Sequence, residues 1–289
     1  MKRSVIRLAK HIFFIPAFES ALRKMTTGRE YGTFISRLAP TQDQYSKGTI
    51  REAKINGINF RLDLSDLMAW FVYWGFSEQS RHSLYAMAKD GDVVFDVGAN
   101  IGEISLNMAR IVGEKGRVFA FEPYRETFKK LKQNCELNTF SNIELIEKGL
   151  ADGKGIAHMV NIDKHNSGMN RVTSGSRASD SAATIETISL DEFVKNHKID
   201  KIDLIKIDVE GFEIKVLSGA KKSLQEFRPK LFIEVDDNNL REQQTSSREL
   251  LDFLNTYGYD FLHASSGAAI EATDDLRNQH FDIIALPDA

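Results

Sequence analysis

The residues whose types and spacing point most directly to chemistry are Asp96, Gly98, Asn100 and Gly102, in the run Val93-Val94-Phe95-Asp96-Val97-Gly98-Ala99-Asn100-Ile101-Gly102. An apolar strand ends in an acid, turns through glycines and enters an apolar-periodic run from Ile104 to Val112 that opens a helix. In open α/β sheets a ligand sits beyond the carboxyl ends of the strands, where such a turn lies. The spacing Gly98-x-x-x-Gly102 is not the Gly-x-Gly-x-x-Gly that seats a dinucleotide pyrophosphate, and a nicotinamide oxidoreductase is disfavoured. A leading Asp96 would repel a pyrophosphate but suits a ligand bearing an ammonium group or hydroxyls. S-adenosylmethionine has an amino-acid end and a ribose, and no phosphate. Gly98 and Gly102 are expected to let backbone approach that ligand, and Asn100 tolerates a left-handed conformation. Glu122, roughly 20 residues on, ends a second strand where a carboxylate can accept from two ribose hydroxyls. Asp152 is the candidate for the adenine amino group.

A second constellation is Lys206-Ile207-Asp208-Val209-Glu210-Gly211. Alternate side chains of a strand share a face, so Lys206, Asp208 and Glu210 are expected to point one way. Three ionisable groups at the end of a buried strand are costly unless paired or used. Glu234 and Asp236 repeat the pattern on a following strand, and neighbouring strands would form an acidic cleft. Such a cleft deprotonates a hydroxyl directly or holds a divalent cation that does so. Asp208 is the first candidate for base or metal ligand, with Glu210 and Glu234 next; no metal ligand set is assigned. His158 and His165 are alternatives that read more simply as surface histidines. The bland reading of the motif is a Lys206–carboxylate ion pair with helix capping by Asp208 or Glu210.

These groups need a sheet to hold them. Thr49–Leu62 reads as a hairpin around Asn56-Gly57, and Leu67–Trp74 as an aromatic-rich helix that packs on a sheet or lines a pocket. From Val93 strands and helices alternate: strands at Arg117–Pro123, from Ile143, at Ile156–Val160, Asp203–Val209, Lys230–Val235 and, at an edge, Phe281–Leu286. Helices are expected over Thr127–Asn138, from Ser189 (which caps with Glu192) through Val194, over Glu213–Phe227 and over Ser247–Thr256. The alternation predicts a mainly parallel sheet with helices on both faces. The polar, aperiodic Asp163–Ala183 reads as a long loop of functional or disordered kind.

With 289 residues and 42% hydrophobic content the chain builds one full core with an appendage. A net charge of −3 argues against a general nucleic-acid binder. One cysteine, Cys135, excludes an internal disulfide framework and fits a reducing, cytoplasmic compartment. Residues 1–40 carry eight basic and two acidic side chains, so the remainder is acidic. Pro16 and Glu19 cut the apolar run Ile12–Ile15 short, which argues against a signal peptide. The segment reads as a helical cap on the main domain, with peripheral membrane contact through residues 1–40 as the rival.

Taken in order, Asp96–Gly102, Phe121-Glu122-Pro123, Leu190-Asp191-Glu192-Phe193, Lys206–Gly211 and Leu217-Ser218-Gly219-Ala220 resemble the FkbM family of methyltransferases over about residues 93 to 236. The resemblance implies a Rossmann-like class I methyltransferase fold with seven strands, using S-adenosylmethionine, and O-methylation of sugars, glycans or secondary metabolites. It places Asp96, Gly98 and Asn100 at the cofactor turn, Glu122 at the ribose and Asp152 at the adenine. Asn166-Ser167-Gly168 is similar to a loop motif of the family, with Met169 where a second glycine is common. Residues 1–85 lie outside the resemblance, as a basic helical and hairpin cap on a 86–289 methyltransferase domain, and are expected to shape acceptor choice. The competing class is a non-catalytic cofactor-binding subunit that recruits a glycan-assembly partner.

Overall fold

The computed structural model describes residues 10–163, 165–173, 182–271 and 273–288. A helix α1 (Pro16–Thr26) leads into the hairpin β1 (Ile50–Ile55) and β2 (Ile58–Asp63), paired antiparallel through the Asn56-Gly57 turn. Then follow α2 (Leu67–Trp74) and α3 (Gln79–Ala86). The alternating part runs β3 (Val93–Val97), α4 (Glu103–Val112), β4 (Arg117–Phe121), α5 (Arg125–Glu136) and β5 (Ile143–Ile146). A small four-stranded sheet intervenes, built from β6 (Gly149–Leu150), β7 (Gly155–Asn161), β8 (Asn170–Thr173) and β9 (Ala183–Ile188). Next come α6 (Leu190–His197), β10 (Leu204–Ile207), α7 (Glu213–Ser218), α8 (Lys221–Phe227) and β11 (Lys230–Asp236). The chain finishes with α9 (Asp237–Glu242), α10 (Ser247–Asn255), β12 (Tyr259–His263) and β13 (His280–Pro287).

The main sheet has seven strands in the order β5-β4-β3-β10-β11-β13-β12, and β13 alone runs antiparallel to its neighbours. The order reverses at β3, whose neighbours are β4 on one side and β10 on the other, so the switch point lies at the tips of β3 and β10. Both faces are covered, which is why these strands read as near-continuous apolar runs. Phe95, Phe119, Ile205, Ile207 and Ile233 pack under α6, α7, α8 and α10. Val94, Val118, Leu204 and Phe232 pack under α3 and α4. The register pairs Leu204 with Val94 and Lys206 with Asp96, so the face that is apolar in the middle of the sheet turns polar at its carboxyl end. Glu234 and Asp236 continue that face beyond Phe232, opposite Asp282 and His280 of β13.

Three expectations need correction. Phe281–Leu286 is not an edge strand: β13 lies between β11 and β12, and the edge belongs to Tyr259–His263. The helix expected over Glu213–Phe227 is two helices. A Cβ at Gly219 would sit 1.9 Å from the Ala151 carbonyl oxygen, and the Asp191 carboxylate caps the second helix by accepting from Lys222 N, Ser223 N and Ser223 Oγ. The segment Asp163–Ala183 is partly structured, as a 3-10 turn at Ser167–Met169 followed by β8. Residues 164 and 174–181 of it lie outside the described residues.

The helix α2 packs on the hairpin and on α1, not on the main sheet; Leu22, Phe60, Trp70 and Trp74 share one buried cluster with Ile101 and Leu106 of the alternating part. The Asp66 carboxylate caps α2 by accepting from Met68 N and Ala69 N. Cys135 is half-buried on α5, and burial pushes its thiol up to about 12, which leaves it unreactive. No helix of the described residues is long and apolar enough to cross a membrane.

Candidate active site

A pocket of about 670 Å³ opens at the switch point, a size that holds a nucleoside together with a small second molecule. Gly98, Asn100 and Glu122 line it, and so do Asp208, Glu210 and Glu234.

The turn after β3 is fused to the end of β10. Gly98 has φ +83°, and a Cβ there would lie 1.9 Å from the Asp208 carbonyl oxygen. No other residue fits without separating the two strands. At Gly102, φ +89°, a Cβ would press on Leu131 Cδ1 at 2.5 Å, so this glycine admits a neighbouring helix and is not among the pocket-lining residues. Both glycines therefore serve an approach of chain to chain. Asn100 takes the left-handed conformation at φ +50° and aims its N–H at Glu122 Oε2, 3.0 Å away. Glu122 Oε1 accepts from Tyr124 N at 2.9 Å. Burial pushes the Glu122 carboxyl up to about 7, against the pull of those two N–H donors. Each of its oxygens keeps a lone pair for a hydroxyl in the pocket.

Asp96 is fully buried and lies behind the pocket, not in its lining. It accepts from Ser105 Oγ, and its Oδ1 stands 3.3 Å from Lys206 Nζ, held by charge rather than by a well-directed hydrogen bond. Lys206 Nζ also donates to the Gly98 carbonyl at 2.8 Å and lies 3.4 Å from Asp208 Oδ2. Burial penalises this ammonium, yet the Asp208 and Asp96 carboxylates outweigh it and hold Lys206 above the usual lysine value. One buried cation thus ties the cofactor turn to Asp208.

The strand-neighbour expectation for the acidic cleft holds, because β10 and β11 are adjacent. Carboxylate oxygens of Asp208, Glu210 and Glu234 all lie within 4.8 Å of one another. Glu210 sits past the strand end at φ +54°, where Asn239 Nδ2 donates to its Oε2 at 2.7 Å and Arg171 Nε stands 3.7 Å away. Burial and the Asp208 charge push its carboxyl up to about 7. Burial and Asp208 likewise raise Glu234 well above the usual range, opposed by the hydrogen bond from His280. That bond, 3.0 Å from Nε2 to Glu234 Oε1, raises His280 to about 9. Asp208 is the most accessible of the three, its side chain 38% exposed against 22% for Glu234 and 16% for Glu210.

Asp152 does not join the site. It is outside the pocket lining, 53% exposed, and its Oδ2 accepts from Lys215 Nζ at 2.8 Å. His158 and His165 are exposed and are not lining residues either. Two features escaped the sequence reading. His280 reaches the cleft from the antiparallel β13. Asp66 is the other: its carboxylate takes Ser167 N at 3.1 Å, Ser167 Oγ at 3.0 Å and Lys130 Nζ at 3.3 Å. Ser167 Oγ is also 3.0 Å from Asn100 Oδ1, so the Asn166-Ser167-Gly168 turn is latched over the pocket onto both the cap and the cofactor turn. An acid just before an apolar run signals a helix cap, which would have flagged Asp66, but not its loop partner.

The model of the methyltransferase FkbM domain matches residues 96–261. The hexuronic acid methyltransferase AglP of Haloferax volcanii is 36% identical over 138 residues, 48% of this chain and 54% of that protein. The 2-O-methyltransferase NoeI of Sinorhizobium fredii is 26% identical over 195 residues, 61% of this chain and 76% of that protein. The chain thus spans about half the length of the first relative and three quarters of the second. A crystal structure of methyltransferase FkbM from Methylobacillus flagellatus covers 75% of this chain and 52% of its own, at 20% identity and a TM-score of 0.44. Since the family model spans more than half of the chain, the chain belongs to the FkbM methyltransferase domain family.

Proposed function

We propose that this chain is an S-adenosylmethionine-dependent O-methyltransferase acting on a hydroxyl of a sugar, glycan or secondary metabolite. The observation that carries the reading is one pocket lined both by the turn residues Gly98, Asn100 and Glu122 and by the clustered carboxylates Asp208, Glu210 and Glu234. The two relatives whose names specify a sugar acid and a 2-O position support the acceptor class.

S-adenosylmethionine supplies a methyl group on a sulfonium, so an attacking oxygen forms the new C–O bond as the S–C bond breaks to a neutral thioether. Glu122 is fitted to hold the ribose hydroxyls, and the tight Gly98–Asn100 backbone to hold the amino-acid end with Asp96 supporting the turn through Lys206. Gly102 supports the same turn by admitting Leu131. Asp152 has a partner elsewhere, and Lys148 and Gly149 line the pocket beyond Glu122 in its stead. The chain must orient the acceptor and take its proton. Asp208 is the base in this reading, since it is the accessible carboxylate of the three and adjoins the cofactor turn. Glu210 and Glu234, raised by burial, bind acceptor hydroxyls with either oxygen or proton. Tyr31, Leu67, Met68, Phe71 and Arg81 line the pocket from residues 1–85, consistent with a cap that shapes acceptor choice over the 86–289 domain. A half-buried single cysteine suits a cytoplasmic setting.

Replacing Asp208 by Asn tests the assignment: turnover falls by roughly a hundredfold or more, the scale of general-base catalysis, with cofactor affinity little changed. Unchanged turnover removes Asp208 from the mechanism. The close approach of three carboxylates also favours a second reading, a divalent cation shared among them. Dialysis against a chelator separates the two: retained activity assigns the proton to carboxylate alone. Cofactor binding with no transfer to any hydroxylated acceptor favours the non-catalytic recruiting subunit.

A further inference from the structure

Among the described residues, six of the ten exposed large apolar side chains fall in one short stretch, Ile12, Ile15, Phe18, Met25, Tyr31 and Phe34. Such residues scattered singly need no explanation, but their concentration in one segment of chain is of the kind that marks an interaction surface. The helix α1 shows how the patch is made. Leu22, Glu19 and Thr26 turn inward, with Glu19 bound by Arg51 at 3.0 Å and by the Tyr73 hydroxyl at 2.6 Å. Phe18 and Met25, seven residues apart, share another side of the helix and are about half exposed. The inward turn of Glu19 leaves Glu30 as the one exposed acid among residues 12–37, against the exposed Lys24, Arg29 and Arg37. The outer face is therefore apolar and basic on a chain that is otherwise acidic.

We propose that residues 12–37 form a docking face for an anionic lipid bilayer. Aromatic and aliphatic side chains enter the headgroup boundary while lysine and arginine meet the lipid charge, the arrangement of an interfacial helix. A second copy of the chain is a poorer occupant: a two-fold contact would set the same basic face against itself. Tyr31 belongs both to the patch and to the pocket lining, where its ring meets Trp70, Phe71 and Phe76. Tyr31 therefore links the docking face to the pocket, which suits an acceptor held at a membrane surface. Docking itself does not depend on the methyltransferase reading.

The test is co-sedimentation of the full chain with phosphatidylcholine vesicles, with and without phosphatidylserine. Binding is expected to the anionic vesicles and to fall as salt is added. The pair Phe18→Ser and Met25→Ser, and separately Lys24→Glu with Arg29→Glu, abolish or weaken it; the charge reversals cost at least about thirty-fold, from the usual contribution of each basic side chain near an anionic surface. Far-UV circular dichroism and calorimetric affinity for S-adenosylhomocysteine stay unchanged in both variants. Absent binding, or equal binding to neutral and anionic vesicles, overturns the proposal. So does a dimer in sedimentation velocity that the Phe18 and Met25 changes dissolve, which would give the face to a second copy.

Discussion

Replacing Lys206 by Met removes the cation that joins the two halves of the site while keeping the length and apolar stem of the side chain. Lys206 is 2% exposed and its partner Asp96 is wholly buried. In the variant the Asp96 carboxylate keeps Ser105 as a donor but loses its charge partner, and the Gly98 carbonyl loses a 2.8 Å hydrogen bond. Breaking a buried pair from one side costs about 3–5 kcal/mol, because the remaining charge is stranded. Adding Asp96→Asn removes that charge, so the double variant recovers part of the loss, with a coupling energy of about 2–3 kcal/mol. Urea unfolding of wild type, both single variants and the double variant at neutral pH measures this, provided the m-values agree. Calorimetry with S-adenosylhomocysteine follows the turn itself, and affinity falls in the single Lys206 variant. A Lys206→Met protein within about 1 kcal/mol of wild type, or single losses that simply add, refutes the claim that one buried cation organises the site.

Glu122→Gln loses charge-assisted hydrogen bonds to the ribose, and calorimetry should show affinity for S-adenosylhomocysteine falling about tenfold to hundredfold. Because the Glu122 carboxyl sits at about 7, wild-type affinity declines as pH falls through 7, whereas the glutamine variant stays flat; a flat wild-type profile contradicts the assignment. Glu213, whose Oε1 accepts from Val209 N and Gly211 N while its buried Oε2 has no partner among the described residues, is pushed from 4.5 to about 7 by burial. The folded chain therefore binds this proton more tightly than the unfolded chain, and stability is lost as pH rises from 4.5 to 7. Glu213→Gln should accordingly stabilise the protein above pH 7 by up to about 3 kcal/mol and make little difference below 4.5, as read by thermal melts; destabilisation in both ranges counts against it.

The parts of the fold that were legible in the sequence are those governed by local rules. Buried parallel strands show as apolar runs, so Val93–Val97 and the tip at Glu122 stood out, and Asn56-Gly57 specified its hairpin. Strand alternation put Lys206 and Asp208 together, and adjacency of β10 and β11 brought Glu234 to them. What stayed hidden depends on contacts distant in the chain. The break in the helix at Gly219 is imposed by the Ala151 backbone, and the Asp66–Ser167 latch joins residues 101 apart. His280 enters only because β13 inserts between β11 and β12, and the short β12 carries too weak an apolar pattern to announce the true edge. Asp152 had the right place after a strand, yet an exposed ion pair with Lys215 draws it away.

The central claim is that one pocket holds S-adenosylmethionine at the Gly98–Glu122 end and presents its methyl group to an acceptor beside Asp208. A crystal structure of the chain with S-adenosylhomocysteine tests it most directly. The account predicts the ribose hydroxyls on Glu122 and the sulfur facing the cleft of Asp208, Glu210 and Glu234. A nucleoside bound elsewhere, or a sulfur turned away from that cleft, would contradict it.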